Sequence, residues 1–299
     1  MPSITNAPDR PATYADSVGS LSVIIPLFNE ETSVVPLRKR LMPVLEDLRS
    51  RWAVQVILVD DGSTDRTHSL LADCFGKDMF EGADTIILRH AVNRGLMAAL
   101  ASGFSAATGD IVCTMDSDCT YAPEKLGGMV DLLLSSDADI VTGSPYHPKG
   151  AVQNVKPWRL ALSRGASTIY RVLAPTNLYC YTSMFRAYRR KWARPPSVGL
   201  EGYVGITEIL LAAAYDGAKV VEYPVALHSR THGESKMRVT RVIFAHLKLM
   251  ARVLWLDVRG LVRWGEPAGL LRGGSGADHG QKKYSTLRIQ MRGGDPPGA

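Results

Sequence analysis

Cysteine is scarce in this chain: there are four in 299 residues, Cys74, Cys113, Cys119 and Cys180, with no CxxC pairing. So few thiols exclude a disulfide-built scaffold, and their spacing excludes a cysteine zinc site. Reduced thiols in a cytoplasmic protein are the expectation. Long apolar runs are missing too. The best stretch, Val242 to Leu256, is broken by His246, Lys248 and Arg252, whereas a spanning helix needs about 18 apolar residues or more. The opening MPSITNAPDRPATYADS carries no charged-then-apolar pattern, so no signal peptide is expected. No GxGxxG follows the first apolar run, which argues against a dinucleotide oxidoreductase. His228, His232 and His246 lack zinc-ligand spacing.

What is present describes an ordinary globular chain. It is 45% hydrophobic and 21% charged, with mean hydropathy −0.03, which excludes disorder throughout and collagen-like repeats. The length supplies one full core, or a large domain and a tail. Net charge is +6 but uneven: from His228 onward there are thirteen Lys/Arg against five Asp/Glu. A basic C-terminal surface suits nucleic acid, anionic lipid or a phosphorylated substrate, and charge alone does not choose. The basic residues lack an aromatic-interleaved module, so no nucleic-acid partner is expected.

Along the chain, apolar β-branched runs alternate with helical spacing. Strands are expected at Leu21–Leu27, Val54–Val59, Thr85–Leu88, Asp110–Met115 and Ala138–Val141. Helices are expected at Glu31–Ser50, Thr67–Phe75, Leu96–Ala107 and from Pro123 to about Leu134. Repeated βαβ units imply an α/β fold with a mainly parallel central sheet and helices on both faces. The second half reads as a loop (Gly143–Lys156), helices at Pro157–Leu173 and Val204–Tyr215, and strands at Met184–Ala187 and Lys219–Pro224. Arg238–Leu256 has the spacing of a basic amphipathic helix, which either packs on its own domain or lies on a membrane. Trp158 and Trp255 read as core or interfacial packing. The expected organisation is a tail over 1–20, a domain over 21–240, the basic helix over 241–264 and a disordered tail over 265–299.

In such sheets ligands bind at the carboxyl ends of the strands, and the polar clusters fall there. VDDGSTDRT (Val59–Thr67) sets two carboxylates at a strand end before a tight turn. Those carboxylates either accept hydrogen bonds from a nucleoside or make turn bonds, with Asp65 capping the next helix. With PLFNEE (Pro26–Glu31) at the end of the first strand, the balance moves toward a nucleotide site. In GDIVCTMDSDCTY a strand ends in Asp116-Ser117-Asp118. Carboxylates at i and i+2 in a bend suit one hard cation bridging a diphosphate, the alternative being a solvated acidic loop.

PLFNEE, VDDGSTDRT, NRGLMAALASGFSAATGDIV and MDSDCTY together resemble the nucleotide-sugar domain of family 2 inverting glycosyltransferases, the GT-A fold. Through SMFRAYRR, GITEILLAAA and RTHGESK, over residues 21 to 240, the chain is similar to the dolichyl-phosphate and polyprenyl-phosphate sugar synthases of that family. The resemblance implies a nucleoside-diphosphate sugar donor held by Pro26, Asn29, Glu30, Asp60, Asp61, Asn93, Gly95 and Asp116. It also implies Mg²⁺ or Mn²⁺ on Asp116 and Asp118, with Thr120 where some relatives supply a further ligand. Arg159 and Ser163, four apart on one helix face, would meet acceptor phosphate, and Arg230 and Lys236 would close over donor and acceptor phosphates. The plainer alternatives are a surface arginine and a solvated basic loop.

Two departures stand out. Pro145 follows Gly143-Ser144 where relatives often carry Arg, and the usual Asp-x-x-Ser-Gly-Phe appears with Cys180 for Asp and Met184 for Gly. A sugar hydroxyl needs a general base to attack, whereas a phosphate oxygen is already anionic at pH 7. Lacking that Asp, the chain has Glu208 as the remaining candidate base. The reading is therefore an inverting transfer onto polyprenyl phosphate at the cytoplasmic membrane face. Its alternatives are a saccharide or other hydroxyl acceptor, and a nucleotide-sugar-binding protein without turnover.

Overall fold

The computed structural model describes residues 19–76, 84–194, 202–229, 239–259 and 285–288. In chain order the elements are β1 (Ser20–Leu27), α1 (Glu31–Arg49), β2 (Ala53–Asp60), α2 (Thr67–Phe75), β3 (Asp84–Arg89), α3 (Leu96–Ala106) and β4 (Ile111–Thr114). A 3₁₀ turn at Pro123–Lys125 leads into α4 (Leu126–Ser135), then β5 (Ile140–Ser144), β6 (Ala151–Gln153), α5 (Pro157–Leu173) and β7 (Arg186–Arg189). The chain continues with α6 (Val204–Tyr215), β8 (Val220–Pro224), β9 (Ala226–His228), α7 (Val239–Arg259) and β10 (Ser285–Arg288).

One eight-stranded sheet runs β10-β3-β2-β1-β4-β7-β5-β8. The β3-β2-β1-β4 block and the β5-β8 pair are parallel, and β7 is inserted antiparallel between β4 and β5. Strand side chains alternate between the two faces, and each face has its own core. Val23, Ile25, Val56, Leu58 and Cys113 pack under α1, α2 and α4, while Ile24, Ile57, Val59 and Val112 pack under α3, α6 and α7. The mainly parallel α/β sheet expected from the sequence is thus the observed one.

Three prolines are accommodated by position. Pro26 lies in β1, where Ile24 O accepts from Met115 N and Leu27 O accepts from Asp61 N. By alternation Pro26 faces β4, past the last β1–β4 pair (Ile24 with Thr114), so its missing N–H costs no ladder bond. Pro36 and Pro43 sit inside α1, whose buried stripe is Val34, Leu37, Leu41, Leu45 and Leu48. The carbonyls they deprive of a donor belong to Thr32 and Lys39, both exposed, where water can replace the bond.

Some details differ from the sequence reading. The strand placed at Met184–Ala187 is β7, two residues later, because its antiparallel register sets Arg186 opposite Thr114. The loop over Gly143–Lys156 contains β6, which pairs with β9 in a two-stranded sheet. Three-residue strands with exposed ends carry no periodic signal. Beyond Gly265, β10 pairs antiparallel with β3 at the sheet edge. Of the N-terminal tail expected over 1–20, Ser20 already belongs to β1, while residues 1–18 and the rest of the C-terminal tail lie outside the described residues.

Helix α3 approaches the sheet closely. A Cβ added at Gly103 would lie 2.4 Å from Ile24 Cγ2, and Ile24 is fully buried in the central strand. Gly103→Val is therefore expected to destabilise the fold by about 1–3 kcal/mol through overpacking, lowering the midpoint of a thermal melt by several degrees. An unchanged midpoint would contradict this packing.

Candidate active site

The carboxyl ends of β1, β2, β3 and β4 open at one edge of the sheet, and the loops that follow them enclose a cavity of about 270 Å³. Pro26, Glu30, Asp61, Asn93, Gly95 and Asp116 line it, six of the eight residues expected on the donor side. Phe28, Ser117, Met184, Gly202 and Tyr203 also line it and were not anticipated. Phe28 sits inside PLFNEE and was findable there. Gly202 and Tyr203 come from the head of α6, far along the chain, where no motif marks them.

The adjacent carboxylates Asp60 and Asp61 do different work. Asp60 is fully buried, and its Oδ1 accepts the Ser63 N–H at 2.9 Å. Its Oδ2 faces His68 Nδ1 at 3.3 Å and Arg89 Nε at 3.4 Å. Asp60 does not line the cavity and holds the turn, contrary to its expected place around the nucleoside. Strand alternation explains this: Asp60 points to the α1/α2 side and Asp61 to the α3 side.

Asp61 is 2% exposed, and a carboxylate so buried is tolerable only when hydrogen-bonded. Its Oδ1 accepts Arg94 N at 3.0 Å, and its Oδ2 accepts Gly95 N at 2.7 Å and Asn93 Nδ2 at 3.1 Å. His90 Nδ1 lies 2.6 Å from Oδ1, and the other ring nitrogen lies 2.9 Å from Ser102 Oγ on α3. One carboxylate therefore gathers the whole 90–95 loop at the cavity wall. Gly62, with φ +75°, lets the β2–α2 turn press on that loop, since a Cβ there would meet the Val92 carbonyl carbon at 2.3 Å.

Asn29, also expected on the donor, is instead a tie between loops. In a left-handed conformation (φ +49°), its N–H donates to Ser63 Oγ at 2.9 Å and its Oδ1 accepts Thr64 N at 2.8 Å. Glu30 does line the cavity and accepts the Ser33 hydroxyl at 2.8 Å. Asp65 accepts the Thr67 N–H at 2.9 Å from one residue before the N-cap, which is Arg66, so it steadies the helix start without being the cap expected as the plainer alternative.

The acidic bend is divided in the same way. Asp116 lines the cavity. Asp118 does not, and its Oδ1 accepts both the N–H and the hydroxyl of Thr120, at 3.0 and 2.9 Å, across Cys119 at φ +53°. Among the described residues no cluster of three or more His, Cys, Asp or Glu could hold a metal.

Arg159 and Ser163 share one face of α5, as expected, and line a second cavity of about 430 Å³ between α5 and α7. Ser163 Oγ lies 2.8 Å from Thr182 Oγ1, and Arg159 Nε is buried with no hydrogen-bond partner among the described residues. The remaining walls are mainly apolar, including Leu162, Ile169, Val242, Leu247 and Met250. His246 also lines it, 2.9 Å from the Tyr170 hydroxyl through Nδ1, and burial pushes its imidazole down to about 4, so it is neutral at pH 7. Arg230 and Lys236 lie outside the described residues.

Glu208 lines neither cavity. It is fully buried on α6, and its Oε1 accepts from Arg252 Nη1 of α7 at 2.8 Å. Its expected role as a base is thus replaced by a tie between two helices. Cys180 is buried as well, its thiol pushed up by that burial, so it does not serve as a base near neutrality.

An amide in place of the Asp61 carboxylate has one acceptor oxygen and turns an NH₂ toward N–H donors whichever way it is flipped. Asp61→Asn is expected to cost about 2–3 kcal/mol in urea denaturation and to speed hydrogen exchange at Arg94 and Gly95. Unchanged stability and exchange would contradict the role assigned to it.

The model of "Glycosyl transferase family 2" matches residues 22–194. The chain is 32% identical over 251 residues to the polyprenol monophosphomannose synthase of Mycolicibacterium smegmatis, covering 81% of this chain and 90% of that protein. It is 30% identical over 236 residues to the dolichol-phosphate mannosyltransferase of Pyrococcus furiosus, covering 78% of this chain and 63% of that longer protein. Among solved structures it resembles the Mycobacterium tuberculosis glucosyl-3-phosphoglycerate synthase crystallised with Mn²⁺, UDP and glucosyl-3-phosphoglycerate. The TM-score is 0.57 at 20% identity, over 92% of this chain and 88% of that one. The matched region spans all four strands whose ends form the cavity, and with it the chain belongs to glycosyl transferase family 2.

Proposed function

We propose that this chain moves a sugar from a nucleoside diphosphate onto a polyprenyl-type lipid phosphate at the cytoplasmic face of a membrane, with inversion. One observation carries the reading: the cavity bearing the carboxylates Asp61 and Asp116 meets, at Tyr203, the more apolar cavity bearing Arg159 and Ser163. A diphosphate donor and a lipid with an anionic head need those two environments side by side. The relatives named for polyprenol and dolichol phosphate support it.

A divalent cation fits the donor side. Mg²⁺ and Mn²⁺ are commonly held by one or two carboxylates together with substrate phosphate oxygens, rather than by an all-protein cage. Asp116 is such an oxygen ligand at the cavity wall, and Asp118 fixes the bend that presents it. When bound, the cation neutralises charge developing on the leaving nucleoside diphosphate. The protein's own part is to hold the nucleoside against Pro26, Asp61 and Asn93, and to set the acceptor phosphate between Arg159 and Ser163.

No proton need be removed from a lipid phosphate. This suits a site whose candidate base, Glu208, is buried and tied to Arg252. The outer faces of α5 and α7 support a membrane surface: Trp158, Leu162, Phe244, Leu247 and Trp255 are 40–72% exposed, beside the exposed Lys248. Among the described residues no helix is long and apolar enough to cross a membrane, so α5 and α7 would lie on it. The four free cysteines fit the reducing side.

The test is incubation with Mn²⁺, polyprenyl phosphate and a panel of labelled sugar nucleotides, counting label extracted into organic solvent. Label is expected in that phase, and Asp116→Ala is expected to lower it by roughly a hundredfold or more with the thermal melt unchanged. Label passing only to added saccharides would move the acceptor to a hydroxyl, and wild-type rates in Asp116→Ala would overturn the donor site.

A further inference from the structure

Tyr203 stands at the head of α6, directly after Gly202, whose φ of +75° makes the turn that delivers it. Every residue from Val204 to Ala214 is buried, so the backbone beneath the ring is anchored in the core. The ring itself is 42% exposed and adds little to that core. Among the described residues it is the one that lines both cavities, the one with Asp61 and Asp116 and the more apolar one with Arg159 and Ser163.

We infer that Tyr203 is a positioning residue that couples acceptor binding to cleavage of the donor. The inference rests on the proposed transfer and adds the device that keeps it from running to water. In transfer, an acceptor oxygen forms a bond to the anomeric carbon as the bond from that carbon to the diphosphate oxygen breaks, the electron pair leaving with the nucleoside diphosphate. Water is the competing nucleophile. If its oxygen makes the same bond and its proton goes to solvent, the products are free sugar and nucleoside diphosphate. The line of attack crosses from one cavity to the other, and Tyr203 is the residue at which they meet. A ring on a rigid element excludes water from that line and sets the distance between the reacting atoms, to which rates are steeply sensitive.

The phenol oxygen is not needed to exclude water in this way, whereas the ring is. The experiment measures nucleoside diphosphate released and sugar transferred in the same reactions, across donor concentrations, for the wild type, Tyr203→Ala and Tyr203→Phe. In Tyr203→Ala the kcat for transfer is expected to fall roughly tenfold, with KM for the donor and the melting temperature little changed. Nucleoside diphosphate released per sugar transferred is expected to rise severalfold. Tyr203→Phe is expected to restore the wild-type ratio. A wild-type ratio in Tyr203→Ala overturns the inference, as does a raised KM for the donor with the ratio unchanged, which would make Tyr203 a donor contact only. The ratio is read on whichever acceptor the wild type uses. Wild-type transfer to a saccharide alone would therefore overturn the lipid reading while still deciding the role of Tyr203.

Discussion

The constraint on which the site depends is the burial of a charged carboxylate at the end of β2. Asp61 has almost no contact with solvent, so its lone pairs must be met by protein donors or the charge would be too costly to keep. Backbone N–H groups of Arg94 and Gly95, the amide of Asn93 and the imidazole of His90 meet them. In doing so they fold the β3–α3 loop over the strand ends and place Asn93 and Gly95 in the cavity wall. Asp60, Asn29 and Ser63 brace the neighbouring turn. That cavity is thus the space left when two loops are fastened by buried carboxylates that would be costly to leave without their partners.

A second division organises the other half of the molecule. α7 is held from inside by Arg252 on buried Glu208 and by His246 beside Tyr170, while its outer face carries Phe244, Leu247 and Trp255. Leu249, Met250 and Val253 also bury an apolar inner face in the core, so α7 carries apolar side chains both inward and outward. Apolar side chains on the outward face are what the proposed membrane contact would use.

Much of the fold was legible from period alone. The buried strands β1 and β2 and the helices α2, α5 and α6 are marked by β-branched runs, by spacing, and for α5 by Pro157 at its first position. The strand-end clusters of the site were legible for the same reason, because polar residues that interrupt a buried strand must sit at its end. What period does not encode is pairing across the chain. The Glu208–Arg252 ion pair joins residues 44 apart on two helices, the short β6 and β9 pair across more than 70 residues, and Tyr203 reaches the site by tertiary position. Within the clusters, residue type misled where direction mattered: Asp60 and Asp61 are identical in chemistry and opposite in face, and Asp118 is turned onto Thr120 while Asp116 meets the cavity.

The most direct measurement is a crystal structure of the chain with a nucleoside diphosphate and Mn²⁺. The account predicts the nucleoside against Pro26, Asp61 and Asn93, and the cation between Asp116 and the diphosphate. A nucleotide bound away from this edge of the sheet, or a cation held without Asp116, would contradict it.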